Sequence, residues 1–133
     1  MSILDHLTLN VSDYGRSKGF YEAALATLGV KVLTEYQGFC GFGIAKPDFW
    51  LAGGPSSYQT AEQLSPITPV HLAFAAASRE AVDAFYAAAI EAGGVDRGEP
   101  GSRGEYHEHY YGAYVLDFDG HNIEAVCHLA TPE

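Results

Sequence analysis

The sequence has few basic residues and few cysteines. Only 7 Lys and Arg stand against 17 Asp and Glu, which gives a formal net charge of -10. A chain of that sign repels phosphate backbones and anionic lipid surfaces, so neither nucleic acid nor a membrane is expected as a partner. The two cysteines, Cys40 and Cys127, lie in apolar runs without metal-type spacing. They are expected to be reduced core residues, with a disulfide between them as the less favoured alternative.

Long apolar runs are also absent. No segment approaches the roughly 20 residues that span a bilayer, and the opening MSILDHLTLN has no basic leader followed by an apolar stretch. Together with the expected reduced cysteines, these absences predict a cytoplasmic protein. At 133 residues, the chain is long enough for one ordinary domain with its own core.

What the sequence does contain is an internal repeat. Residues 6–30 align with residues 71–95 without a gap, and about a third of the aligned positions are identical. The alignment places His6 on His71. Similarity at this level indicates that one supersecondary unit is used twice.

Each copy predicts a strand, then a helix, then further strands, and so an α+β fold. The helices are expected to begin after Ser12 or Asp13 and after Ser78, and to end at glycines. Three extended runs follow the first helix, whereas RGEPGSRGEYHEHYY after the second helix reads as a Gly-rich loop before two strands. We expect a first module at about residues 1–54, a connector at about 55–68 and a second module at about 69–129.

Alternation along the strands places three chemically active side chains away from the helices. Side chains in a strand point to alternate faces, so Leu7 and Leu9 pack while His6 faces the other way. The same parity turns His71 and Glu124 away from their helix. Glu124 lies in the apolar run NIEAV, where a buried carboxylate needs a cationic or hydrogen-bonding partner.

These three residues are candidate metal ligands. Two imidazoles and one carboxylate on one side of a divalent ion leave coordination positions open for water, oxygen or substrate. A metal ion would also supply the missing partner of Glu124. Taken singly, a His or Glu at a strand end is more often solvated or hydrogen-bonded than bound to a metal.

The repeat, together with LDHLTLNVSD, PVHLAFAA and YVLDFDGHNIEAV, resembles the glyoxalase, bleomycin-resistance and extradiol-dioxygenase superfamily, also called the vicinal oxygen chelate superfamily. The resemblance covers nearly the whole chain. It implies two βαβββ modules that form a curved mixed sheet around a cleft, with the helices on the outer face. It also implies a homodimer, a small-molecule substrate chelated through vicinal oxygens, and metal ligands at His6, His71 and Glu124.

One position departs from the glyoxalase I pattern. The resemblance implies a fourth, carboxylate ligand on the last strand of the first module, but Trp50 falls opposite Glu124, and Asp48 is the only nearby carboxylate. A three-ligand site is more similar to dioxygenases or fosfomycin-modifying transferases, with Trp50 as a wall of the substrate pocket. The ligand types admit Fe, Mn, Zn or Ni, and the activity could be of the dioxygenase, lyase, isomerase or transferase type. A metal-free protein that sequesters a drug-like ligand and a scaffold with relic ligands remain alternatives.

The segment EYHEHYYGAY carries further candidate site residues. An aromatic loop that covers the cleft is its simplest interpretation. The functional interpretation assigns His109 as a general acid or base and Tyr111 as a hydrogen-bond donor to substrate, with Tyr110 and Arg103 in substrate binding. His121 is expected to be a solvated surface residue.

Overall fold

The predicted strand-helix-strand repeat is confirmed by the fold. The computed structural model of the chain describes residues 2–130. The first module consists of β1 (Leu7–Asn10), α1 (Tyr14–Ala26), β2 (Lys31–Tyr36), β3 (Phe39–Gly43) and β4 (Pro47–Ala52). The second module consists of β5 (His71–Ala75), α2 (Arg79–Glu91), β6 (Val95–Ser102), β7 (Tyr111–Leu116) and β8 (Asn122–Cys127). Between them, residues 53–70 contain one turn of 3-10 helix at Glu62–Leu64.

The strands form two four-stranded mixed sheets, one from each module, as the two expected βαβββ modules require. Their strand orders are β1-β4-β3-β2 and β5-β8-β7-β6. In each sheet the first strand runs parallel to the last strand of its module, and the other pairs are antiparallel. β1 and β5 therefore both lie at sheet edges, and each has one side without a strand partner in the described part of the chain.

Both helices begin and end with the expected chemistry. The Asp13 side chain accepts a hydrogen bond from Arg16 N at 3.2 Å, and Ser78 Oγ accepts one from Ala81 N at 3.1 Å. Gly29 and Gly93 follow the helices with φ of 78° and 107°, a backbone conformation that favours glycine. None of the helices among residues 2–130 is long and apolar enough to cross a membrane.

The helix-facing sides of the two sheets share one core. Phe20, Phe85 and Ile123 are among its fully buried members. The modules meet directly within it, since the Phe49 and Phe74 rings lie 5.2 Å apart at 81°. Because the helix-facing side of each sheet is buried in this core, the opposite face of each sheet is the one available for binding.

The resemblance to βαβββ modules implied a strand at the position of β6, but the local sequence pattern did not predict it. Its residues include Gly98, Pro100 and Gly101, which read as a loop. β6 is an edge strand, and its pairing with β7 shifts register on both sides of Gly98. Proline and glycine are tolerated at sheet edges and irregularities because few ladder hydrogen bonds depend on them.

The turn between β7 and β8 ties the second module to the first. The Asp117 carboxylate is buried and accepts hydrogen bonds from Tyr21 Oη at 2.5 Å and from the backbone N atoms of Asp119 and His121 at 2.9 Å. Asp119 in turn accepts from Ser12 N at 3.1 Å. Asp117 and Asp119 therefore have a structural role at the junction of the modules.

Replacing Asp117 with Ala should lower the free energy of unfolding by about 3 kcal/mol, because three donors lose their acceptor in a buried site. Chemical denaturation measures this change. Asp119→Ala removes a more exposed carboxylate from the same turn and should cost about 1 kcal/mol. Equal losses in the two variants would contradict the assigned role of Asp117.

His121 corrects the sequence interpretation, since it is only 1% exposed instead of solvated. Its Nδ1 accepts from Val70 N at 3.0 Å, and its Nε2 lies 2.9 Å from Asn10 O, to which it donates. The imidazole thus bridges β1 and the segment that enters β5. A turn position does not reveal burial when the neighbouring module covers the turn, which is why the sequence misled here.

Candidate metal and substrate site

Glu124 lies on the face of the second sheet that points away from the helices. Within that sheet it pairs with Ala73 on one side and with Tyr114 on the other. Its side chain is only 1% exposed. The parity predicted for β8 therefore agrees with the strand register, and the carboxylate is indeed removed from water.

Two side chains meet the buried carboxylate. Tyr110 Oη donates a hydrogen bond to Glu124 Oε2, and Glu124 Oε1 lies 3.1 Å from His71 Nε2. His71 is about half exposed, so this side of the pair opens into the cleft. The structure thus brings together two of the three predicted metal ligands, together with one predicted substrate-binding residue.

The other nitrogen of His71 is already engaged. Nδ1 lies 3.0 Å from Asn122 O and 3.2 Å from Asn122 Nδ2. When Nδ1 carries the proton it donates to Asn122 O, as metal-binding histidines commonly do to a backbone carbonyl. Nε2 then directs a lone pair toward the Glu124 carboxylate.

His71 Nε2 and Glu124 Oε1 are suitably placed to be two ligand atoms of a divalent cation. Two acceptors 3.1 Å apart repel each other unless a proton or a metal ion lies between them. The separation also matches the spacing of about 3 Å between adjacent ligands that each lie about 2.1 Å from a metal at a right angle. Imidazole nitrogen and carboxylate oxygen suit Fe, Mn, Zn and Ni alike.

His6 is not grouped with His71 and Glu124 in the single chain. Within residues 2–130, no three His, Cys, Asp or Glu side chains are placed to hold one metal ion. His6 lies on the cleft side of the first sheet, and its Nδ1 is 2.6 Å from Asp5 Oδ1. Its ring is more than half exposed, which leaves Nε2 accessible.

Trp50 occupies the position in the first module that Glu124 occupies in the second. Thr8 pairs with Trp50 across β1 and β4, just as Ala73 pairs with Glu124 across β5 and β8. The indole stacks at 6.5 Å on Tyr36, which stacks at 4.8 Å on Phe39. We call Tyr36, Phe39 and Trp50 the aromatic platform.

Phe39 and Trp50 of the aromatic platform line a cavity of about 730 Å³. His6 and Thr8 line it on the β1 side, and a Gly- and Ser-rich rim follows β4. The lining contains no Lys, Arg, Asp or Glu. Its walls suit a planar or apolar group of a ligand.

Two of the other predicted substrate residues lie in or beside the second module's cleft. Tyr110 packs against the rings of Tyr106 and His107 at 4.8 and 5.4 Å. The Arg103 guanidinium lies 5.5 Å from the ring centre of Tyr114 and donates to Glu99 O at 2.7 Å. Tyr114 also packs beside His71, with ring centres 6.1 Å apart.

The two residues predicted as catalytic are placed differently. Tyr111 is the first residue of β7 and points to the helix side, where its hydroxyl donates to Asp83 Oδ1 at 2.6 Å. That orientation does not fit a direct bond to substrate in the cleft. His109 Nε2 lies 3.3 Å from Glu108 Oε1, on the outside of the loop. Neither residue is part of the cluster around Glu124.

The tyrosine environments predict a loss of stability at alkaline pH. Burial, and after it the bond to Glu124, raises the pKa of Tyr110 far above its ordinary value of 10.0. The bond to Asp83, and after it burial, raises the pKa of Tyr111 to about 12. The unfolded chain therefore loses these protons first, so their contribution is complete below about pH 10 and is lost as pH rises toward 12. The urea concentration at the midpoint of unfolding, measured from pH 8 to 11, should fall above pH 10. The fall should be less steep in Tyr110→Phe. An equal fall with pH in the two proteins would contradict this account.

Gly112 leaves room for the Glu124 carboxylate. A Cβ at this position would lie 3.0 Å from Glu124 Oε2 and 3.2 Å from Tyr110 Cε1. Gly112→Ala should therefore displace one of these side chains and lower the free energy of unfolding by about 1 kcal/mol. Gly104→Ala is the matched control, since a Cβ there meets nothing within 4 Å. If both variants unfold at the same denaturant concentration, the close packing at Gly112 is wrong.

Asp5 and Gly112 near the candidate site were missed in the sequence, and Tyr114 was included only as a member of the segment EYHEHYYGAY. Asp5 is adjacent to His6, but its side chain turns back onto the imidazole, which strand parity does not predict. Gly112 and Tyr114 share the parity of the cleft face on β7. This parity can be assigned from the sequence only when the first residue of β7 is known.

Comparison with known proteins agrees with this architecture. The family model of the Glyoxalase/Bleomycin resistance protein/Dioxygenase superfamily matches residues 3–125. A solved structure of a glyoxalase/bleomycin resistance protein from Albidiferax ferrireducens T118 is 34% identical, with a TM-score of 0.78 and coverage of 95% of this chain and 99% of that one. The chain therefore belongs to this superfamily.

More distant structures share the fold. A family enzyme from Burkholderia phytofirmans PsJN is 20% identical, with a TM-score of 0.73 and coverage of 96% and 100% of the two chains. The fosfomycin resistance protein FosX from Listeria monocytogenes is 21% identical, with a TM-score of 0.65 and coverage of 96% and 93%. No protein of curated function matches the chain.

Proposed function

We propose that the protein is a divalent-metal-dependent enzyme that acts on a small substrate chelated through vicinal oxygens. The observation that carries the proposal is the buried Glu124 carboxylate facing His71 Nε2 at 3.1 Å, with His71 Nδ1 held by Asn122. A cation bound there would polarise the substrate oxygens and stabilise negative charge that develops on them. Fe, Mn, Zn and Ni all suit this donor set.

The third ligand, in this proposal, is His6 of a second copy of the chain. His6 projects from the first module and is not grouped with His71 and Glu124 of its own chain. The segment just before His6 carries exposed apolar side chains, namely Ile3 and Leu4. Edge strands without partners and exposed apolar side chains beside His6 are what a two-fold homodimer would cover.

The remaining cleft residues would bind and orient the substrate. Trp50 and the rest of the aromatic platform would pack against its apolar part, on the side where glyoxalase I-like members carry a fourth ligand. Tyr110 would hold the Glu124 carboxylate in place through its hydroxyl. Arg103 would meet an anionic substituent at the outer rim. His109 and Tyr111 have no place in this cluster.

A second candidate function is metal-free binding of a planar drug-like molecule. The specific observation in its favour is the aromatic platform, two of whose rings line a cavity that has no Lys, Arg, Asp or Glu in its walls. In that case the His71 and Glu124 pair would be held by a proton instead of a cation.

Elemental analysis of protein purified without chelators separates the two functions. The enzyme proposal predicts about one divalent ion per chain, removable by chelation and restored by titration. Absence of metal together with no uptake on titration would support the binding function and overturn the enzyme proposal.

A further inference from the structure

The two histidines at matching repeat positions have different outer partners. His71 Nδ1 lies between the backbone oxygen and the side-chain amide of Asn122. His6 Nδ1 instead lies 2.6 Å from the Asp5 carboxylate. An ionised carboxylate only accepts hydrogen bonds, so the His6 nitrogen that faces it must carry a proton. The His6 contact thus selects one tautomer, whereas Asn122 offers His71 Nδ1 both an acceptor, its backbone oxygen, and a donor, its side-chain Nδ2.

Asp5 is itself held from a second side. Lys46 Nζ donates to Asp5 O at 2.5 Å and lies 3.3 Å from Asp5 Oδ2. The Asp5 side chain is 78% exposed, and a solvated carboxyl group is ionised at neutral pH. Its contacts with Lys46 help to hold the carboxylate in its position beside the imidazole.

We infer that Asp5 is a positioning residue that fixes His6 with its proton on Nδ1 and its Nε2 lone pair directed outward, with Lys46 as the anchor of Asp5. The effect on metal affinity rests on the proposed function. The effect on the His6 tautomer does not. Outer carboxylates orient ligating histidines and raise their basicity, and their removal costs about 10- to 100-fold in metal affinity. Lys46→Met should weaken the same effect because Asp5 loses its second contact.

The inference is tested first without metal. Long-range nitrogen-proton NMR spectra of the metal-free protein at pH 8 should show His6 mainly as the Nδ1–H tautomer. Asp5→Ala should convert it to a mixture dominated by Nε2–H, which free histidine side chains prefer. Asp5→Asn keeps an acceptor oxygen without the charge. Its population of the Nδ1–H tautomer should lie between those of the unmodified chain and Asp5→Ala. Glu35→Gln is the matched control, because it removes an exposed carboxylate bonded to Tyr14 and Lys18 and should leave His6 unchanged.

Metal titration then tests the consequence. Asp5→Ala should bind Zn²⁺ or Mn²⁺ about 10-fold more weakly than the unmodified chain and than Glu35→Gln. An unchanged tautomer together with unchanged affinity in Asp5→Ala would overturn the inference and leave the proposed function standing. An Asp5-dependent tautomer in a protein that takes up no metal would support the positioning role and overturn the proposed function instead.

Discussion

Glu124→Gln should abolish metal binding while leaving the fold intact. The amide keeps a carbonyl oxygen for the Tyr110 hydroxyl, and its N–H can donate to the lone pair of His71 Nε2, so neither neighbour is left without a partner. What it removes is the negative charge that a divalent cation needs. The loss of affinity should therefore exceed the about 10- to 100-fold that loss of an outer partner costs.

The free energy of unfolding distinguishes the loss of a metal ligand in Glu124→Gln from a general loss of structure. Removing a buried charge without removing its hydrogen bonds should change the free energy of unfolding of the metal-free protein by less than about 1 kcal/mol. Glu124→Ala should cost about 2–3 kcal/mol, because the Tyr110 hydroxyl then loses its buried acceptor. Calorimetric titration measures the metal affinity of both variants, and chemical denaturation measures their free energies of unfolding. A Glu124→Gln protein that still binds metal with unchanged affinity would remove Glu124 from the site.

His6→Ala should weaken metal binding as severely as His71→Ala does. In the single chain this is not obvious, since His6 is more than half exposed and is not grouped with the other two ligands. The proposed dimer makes the two imidazoles equivalent, because each would provide one nitrogen to the same ion. Titration with Zn²⁺ or Mn²⁺ measures both losses against the unmodified protein.

The stability of His6→Ala should separate a ligand from a structural residue. An exposed side chain away from the core should change the free energy of unfolding of the metal-free protein by less than about 0.5 kcal/mol. A large fall in stability, or full metal affinity in His6→Ala alongside a loss in His71→Ala, would contradict the shared site. The second outcome would leave a two-ligand pair at His71 and Glu124.

Much of the fold follows from local sequence properties. Helix caps, terminal glycines and the alternation of β1, β5 and β8 depend only on near neighbours, so the repeat and the cleft-facing parity could be predicted. The alignment of the halves also placed Trp50 opposite Glu124, and the register of both sheets agrees with it.

The remaining features depend on contacts between distant segments. Edge strand β6 carries glycine and proline because its pairing is irregular, and no local signal predicts such a strand. Tyr111 and Tyr110 are adjacent, so a shift of one residue in the start of β7 exchanges their faces. His121 is buried only because the first module covers its turn. Whether one chain or two would complete the proposed metal site is likewise not encoded in any local pattern.

The central claim is that the metal site combines His6 of one chain with His71 and Glu124 of another, and mixing two inactive variants tests it most directly. His6→Ala and Glu124→Gln are each expected to form homodimers without an intact site. In a mixed dimer, the His6 of the Glu124→Gln chain would meet the unaltered His71 and Glu124 of the His6→Ala chain. Unfolding and refolding the two variants together should therefore restore metal binding in about a quarter of the sites, because half of the dimers would be mixed and each would hold one intact site. No recovery from a mixture whose mixed dimers are verified by mass spectrometry would contradict the claim.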